Sequence, residues 1–373
     1  MQVASKAHLV KGNQTTNTIT MKILKRLQFV REEIAEIPGI DEKPTDGIKT
    51  FLTRITYALS LGLKEKEIFF FGLLQWVSIA LAYLLWVQML DWIPESVWES
   101  AANSSEASVV DLILGIWSFF CVGVASFPVG IFTGCMGAAH FLHRQGREST
   151  VATCLKFVLP QSWPLWLFHW IDGWITTIQI VERLPKKDDY RSPIEIAARE
   201  ALYYAWKLGS AGMLPSILTG NELIASGKNS IGFVKENFKH IAALRAGYSA
   251  LCWIVGIGAY VGAIGLLLLV DIFPDGNEVY SHIYDFYLWM AVPIVIALSV
   301  VMLLLRPIYV LAMCDLYSDY LESKEVSPRL PDDVSKGRSA LVVFGLTVIA
   351  LGVVYLFRDE LGITPLLATP YGD

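Results

Sequence analysis

Five long apolar runs punctuate the chain: Ile68–Ile93, Leu112–Phe141, Ala246–Val270, Phe286–Leu305 and Ser339–Phe357. At 1.5 Å rise per residue, about 20 helical residues cross the ~30 Å hydrocarbon core of a bilayer. A large soluble core would divide its apolar positions into shorter amphipathic stretches instead. Within lipid every backbone N–H and C=O must be satisfied inside its own segment, which selects helices for runs of this kind. The pattern predicts an all-α integral membrane protein with five transmembrane helices, one for each run.

Polar residues between the runs set an expected orientation, because Lys and Arg near span ends are retained in the cytoplasm. Lys49, Arg54, Lys64 and Lys66 precede the first run. The connection 94–108 has no cation, whereas Arg144, Arg147 and Lys156 follow the second run and nine more cations lie in 183–240. The connection 271–285 again has none, and 321–338 holds Lys324, Arg329, Lys336 and Arg338. Only Arg358, just past the last run, breaks the alternation. The expected topology has the N-terminus in the cytoplasm and the C-terminus outside.

One further apolar stretch, Val151–Val181, would invert this alternation if it crossed the membrane, so it is expected to be interfacial or re-entrant. Its pattern is helical. Trp163, Trp166, Trp170 and Trp174 share one face, with His169, Asp172, Thr176 and Gln179 on the other. An indole stripe with a polar back suits the headgroup layer, where Trp keeps one wet edge. Burial against the spans, with the stripe as plain packing, is the alternative. Further on, Ser192-Pro193-Ile194-Glu195 reads as a helix start, and Gly209 and Gly212 as its interruption. The resulting segments are a cytoplasmic N-terminal region (1–66, with 1–20 expected to be disordered), a transmembrane hairpin (67–142), an interfacial helix with a cytoplasmic insert (143–240), a second hairpin (241–315), a cytoplasmic connection (316–338), and a last span with an outer tail (339–373).

Composition sharpens this picture. The chain is 54% hydrophobic and 17% charged, with mean hydropathy +0.47, and the apolar excess over an ordinary soluble domain resides in the runs. A net charge of −5 without a basic stripe gives no reason to expect a nucleic-acid partner. The cysteines, Cys121, Cys135, Cys154, Cys252 and Cys314, form no CxxC pair and read as small packing residues. No cofactor or metal is expected.

Four groups of residues are candidate sites. Gly130/Gly134 and Gly258/Gly262 form two GxxxG motifs, which let helix backbones approach closely, with contact inside the same chain expected. Asp91, Asp111, Asp271 and Asp285 mark outer span ends and could attract cations. Arg245 and Arg306 stand at inner span ends, where they can snorkel. His140 and His143 share one helix face, as do His169 and Asp172. If the two segments met, together with Cys135, they could surround a metal or a lipid headgroup. The expected function is a non-catalytic membrane component that supports or anchors a larger assembly. Its partners would be the lipid bilayer and other membrane or cytoplasmic subunits. A permease or channel for a small solute, resting on the outer carboxylates, and a lipid-modifying enzyme, resting on the His/Asp cluster, are the alternatives.

Overall fold

The computed structural model describes residues 44–90, 93, 109–183, 193–269, 281–326 and 335–356, in places by backbone alone. Its elements are α1 (Pro44–Lys64), α2 (Glu67–Leu90), α3 (Val109–Arg144), α4 (Val151–Val158), α5 (Ser162–Arg183), α6 (Pro193–Gly209), α7 (Met213–Leu218), α8 (Leu223–Leu269), α9 (Ser281–Val300), α10 (Arg306–Ser323) and α11 (Ser335–Leu356). A 3₁₀ turn, Leu159–Gln161, joins α4 to α5, and a wide π-type turn, Val301–Leu305, carries α9 into α10. No strand occurs among the described residues. The expected start of disorder at 1–20 and the tail after the last run lie outside them.

Among the described residues, four helices are long and apolar enough to cross a membrane: Glu67–Gln88, Leu114–Arg144, Leu223–Leu269 and Met290–Ser323. The chain is an all-α, multi-pass membrane protein. The fifth expected run forms α11, whose side chains are described only in part.

Pairwise contacts fix the relative directions of these helices. Gln75 Nε2 donates to Thr133 Oγ1 at 2.7 Å and Trp86 Nε1 to Ser118 Oγ at 2.8 Å, so α2 and α3 run antiparallel. Tyr248 stacks on Tyr309, and Phe233 meets Tyr317 and Tyr320, so α8 and α10 also run antiparallel. A Cβ on Gly137 would meet Cys314 Sγ at 3.0 Å, and Arg144 reaches Asp319, so α3 and α10 run parallel. Two hairpins of like direction result.

Two of the expected spans prove to be halves of longer helices. The described part of the run Ala246–Val270, up to Leu269, is the second part of the 47-residue α8, which leaves helical geometry once, at Asn237 (φ −118°, ψ 23°). Phe286–Leu305 continues through the wide turn into α10. Side-chain exposure changes where each apolar run begins or ends. Trp253, Ile254, Val261, Leu266 and Leu269 on α8 are exposed, as are Val295, Leu298 and Leu304 on α9 and its turn. Ile241 and Leu244, and Leu305, Ile308 and Leu311, are buried. The helices thus pass from an apolar layer that shows greasy side chains on its outside, as a lipid solvent requires, into a tightly packed base. The base gathers Ala58, Leu61, Ile68, Phe71, Met136, Leu142, Leu218 and Tyr317 into one core.

Helix ends in the base follow local chemistry. Gly146, at φ +68°, ends α3: Arg147 N–H donates to Leu142 O at 3.0 Å and Gly146 N–H to His143 O at 2.9 Å. These are the two bonds of a Schellman cap, which needs the left-handed conformation open to glycine. Thr150 then caps α4 through Thr153 N–H.

Candidate functional site

The His/Asp group divides into two centres. His169 Nδ1 lies 3.2 Å from where a Cβ on Gly130 would stand. His140 is ten residues further along α3, about 15 Å away by helical rise. Cys135 between them is fully buried, and no group of three His, Cys, Asp or Glu residues suited to a metal occurs among the described residues. Each i,i+3 pair does share a face, but the helices meet in a register that keeps the pairs apart. The joint cluster is therefore corrected to two separate centres.

The first centre ties together α1, α3 and α10. Ser318 Oγ donates to Cys314 O at 2.9 Å, which uses its only proton. His140 Nε2, 2.9 Å from that Oγ, must then be the donor. His140 Nδ1 is left bare to accept from Tyr57 O–H at 3.0 Å. Burial pushes the Tyr57 hydroxyl up to about 12, and Asp315 pushes the same way, so that proton is retained. His143 instead faces Glu65, 3.7 Å away, and Glu65 accepts from Ser149 Oγ. Beside this chain of bonds, Arg54 of α1 forks onto Asp315 and Asp319 of α10. Arg144 of α3 bonds Asp319 at 2.9 Å and Glu322 at 2.8 Å. Every charge here faces an opposite one. Such a centre clamps three helices.

Arg54, Arg144, Asp315 and Asp319 were not among the sequence candidates. The available signal was Asp315 and Asp319 spaced one helical turn apart immediately after an apolar run, a costly placement unless cations face them.

The second centre is built around Asp172 on α5. Lys207 Nζ of α6 lies 2.7 Å from both carboxylate oxygens, and Trp206 Nε1 donates to Oδ1 at 3.0 Å. Burial raises the carboxyl, but Lys207 and Trp206 outweigh it and hold the group below its usual range. His169 bonds Leu165 O through Nδ1 at 2.9 Å, and burial pulls it down to about 4, so the ring is neutral. Arg306, the first residue of α10, and Arg245 of α8 act electrostatically on Lys207.

The indole stripe turns toward α3 instead of a headgroup layer. Trp166 Nε1 donates to Gly123 O at 2.8 Å and Trp170 Nε1 to Phe119 O at 3.1 Å. Trp174 meets Phe119 edge to face at 5.1 Å. Only Trp163 is exposed. The interfacial-anchor expectation is therefore corrected for Trp166, Trp170 and Trp174: these residues pack against α3, and the N–H groups of Trp166 and Trp170 are satisfied there. The opposite, polar face of α5 is covered through Asp172 by α6.

The two GxxxG motifs behave differently. Gly130 and Gly134 touch α4 and α5: added Cβ atoms would stand 3.2 Å from Leu165 O and 2.9 Å from Val158 Cγ1. Gly258 and Gly262, and Gly265 one turn on, have nothing within 4 Å. The expected contact inside the chain holds for the first motif and fails for the second, whose helix face has no partner helix among the described residues. Asp91, Asp111, Asp271 and Asp285 lie outside the described side chains.

No family model matches the sequence, and neither the search of curated proteins nor that of solved structures found a match.

Proposed function

We propose that this chain is a non-catalytic polytopic membrane protein that supports or anchors a larger membrane assembly, and that the apolar half of α8 is the face it offers. The open Gly258/Gly262 motif supports this reading above all. A small-residue stripe lets a second helix approach until dispersion contacts replace lipid contacts, and the same spacing at Gly130/Gly134 is used for that purpose within this chain. Beside the stripe, α8 and α9 flank an open apolar groove of about 360 Å³ lined by residues including Trp253, Ile257, Tyr260 and Leu298. In the base, Phe233 and Tyr248 of α8 pack against Tyr317, Tyr320 and Tyr309 of α10, which would hold α8 rigidly for such a partner.

The test follows from the empty space. A Cβ at position 258 or 262 has no described atom within 4 Å, so the double variant Gly258→Ile/Gly262→Ile will keep the wild-type unfolding midpoint. After mild solubilisation from its native membrane, the wild type will bring down a stoichiometric membrane partner, and the double variant will lose it. A wild-type chain recovered alone and monodisperse refutes the proposal.

The basic connections place the base in the cytoplasm in this reading. Lys228, exposed on α8, offers a handle. In intact cells Lys228→Cys will resist a membrane-impermeant maleimide and will react once the cells are opened. Labelling of intact cells would reverse the orientation.

A further inference from the structure

The two polar centres differ in charge balance. Around Arg54 and Arg144, three carboxylates answer two guanidinium groups. Around Asp172, three cations, Lys207, Arg245 and Arg306, share one carboxylate whose oxygens Lys207 and Trp206 already occupy. Among the described residues, no carboxylate comes within ion-pair distance of Arg245 or Arg306. The hydrogen bond Arg306 does make goes to a thioether, Met302 Sδ at 3.9 Å, a weak acceptor.

The fold holds these cations in place. Tyr248 and Tyr309, one turn along from Arg245 and Arg306 respectively, stack with ring centroids 4.4 Å apart and fix α8 against α10. Lys207 lies over the Tyr203 ring at 5.7 Å and is anchored by Asp172. Burial pushes the Lys207 ammonium below its usual range, and Arg245 and Arg306 push the same way against the pull of Asp172. Three helices therefore assemble like charges that repel one another, an arrangement that destabilises the fold unless an anion offsets it.

Position narrows the chemistry. Arg245 follows the buried Leu244, and Arg306 follows Leu305; beyond them α8 and the α9 turn expose Trp253, Ile254 and Leu304. Both arginines thus stand at the seam where the apolar layer gives way to the base, the level at which lipid phosphates lie. The planar guanidinium fork matches the oxygens of a phosphate group.

We propose that Lys207, Arg245 and Arg306 form a binding site for a phosphate-type anion, carried on a lipid headgroup or free in solution. Asp172 positions Lys207 and leaves the site with an excess of two positive charges, suited to a phosphodiester or to inorganic phosphate. The site is separate from the α8 docking face, since Arg245 lies more than three turns along α8 from Gly258.

The full chain would be reconstituted in nanodiscs of phosphatidylcholine alone, of phosphatidylcholine with phosphatidylglycerol, and of phosphatidylcholine with inorganic phosphate at matched ionic strength. The wild-type unfolding midpoint will rise with phosphatidylglycerol or with phosphate. The double variant Arg245→Gln/Arg306→Gln will lose most of that rise, whereas Arg183→Gln, at an exposed ion pair with Glu200, will retain it. A rise with phosphatidylglycerol alone assigns the site to a lipid headgroup, and an equal, arginine-dependent rise with phosphate assigns it to a soluble anion. Absence of any rise in both arms, or an undiminished rise in the double variant, overturns the proposal. Should that variant not fold, Arg245→Lys/Arg306→Lys keeps the charge and removes the forks. Its affinity for the effective probe, by native mass spectrometry or phosphate titration, will fall about tenfold, and unchanged affinity would overturn the proposal equally.

Discussion

Arg54→Met will destabilise the chain by about 3–5 kcal/mol, the range for removing one partner of a buried ion pair. The large effect follows from what remains. Asp315 is 7% exposed at its side chain, and its next cation, Arg144, stands 3.9 Å away. Without Arg54 the Asp315 carboxylate keeps most of its desolvation cost and loses its principal hydrogen-bond donor. Arg54→Met combined with Asp315→Leu will recover much of the loss, because two apolar groups of similar volume leave nothing unpaired. Chemical unfolding in a fixed detergent, run as a double-mutant cycle, measures both values. A single-variant loss below about 1 kcal/mol, typical of exposed pairs, would show that the centre is not a clamp.

The second large effect is expected at Gly134. Leucine there must fit where a Cβ alone would stand 2.9 Å from Val158 Cγ1 and 3.0 Å from Leu165 Cδ1. Inserting side-chain bulk into a close-packed contact destabilises by about 1–3 kcal/mol, and several methylenes with no free volume place Gly134→Leu at the upper end. Gly130→Leu will behave likewise, since Leu165 O, a backbone atom 3.2 Å from the new Cβ, has little freedom to retreat. Thermal unfolding of the purified variants decides the matter; a midpoint equal to wild type would mean that α3 and α5 are not in contact at these glycines.

These two results bear on how far the sequence was legible. Apolar run length revealed helices and membrane, because lipid leaves few other solutions for the backbone. The alternation of basic connections implied two hairpins of like direction, and α2/α3 and α8/α10 have that geometry. Pro193 and Gly209 bound α6 as the helix-start and helix-stop signals suggested. The reading stopped too early at Arg245 and Arg306. Both interrupt an apolar run and so read as span ends, yet backbone hydrogen bonding continues through them, because the base supplies polar and apolar partners on alternate faces.

The second kind of failure concerns register between helices. Trp166 and Trp170 were correctly placed on one face, but nothing within residues 151–181 says what that face meets. The answer was written in α3, where Gly123, Gly130 and Gly134 follow one another at helical spacing and leave room for Trp170 and Leu165 of α5. His140 and His169 show the converse case. Each has a neighbour at i+3, yet helix-to-helix offset, which periodicity does not encode, sets them apart.

The clamp at Arg54 also has a temporal side. Arg54 and Asp315 are separated by 261 positions along the chain, so a ribosome exposes the cation of α1 long before the anions of α10 exist. Nascent chains that stop short of α10 would carry Arg54 and Arg144 unneutralised, with the first hairpin inserted but its lower end unable to close. Late, long-range pairing of this kind delays consolidation of the native state until α10 has been made. Quality-control proteases would accordingly meet chains lacking α10 as open substrates and chains that include it as sealed ones.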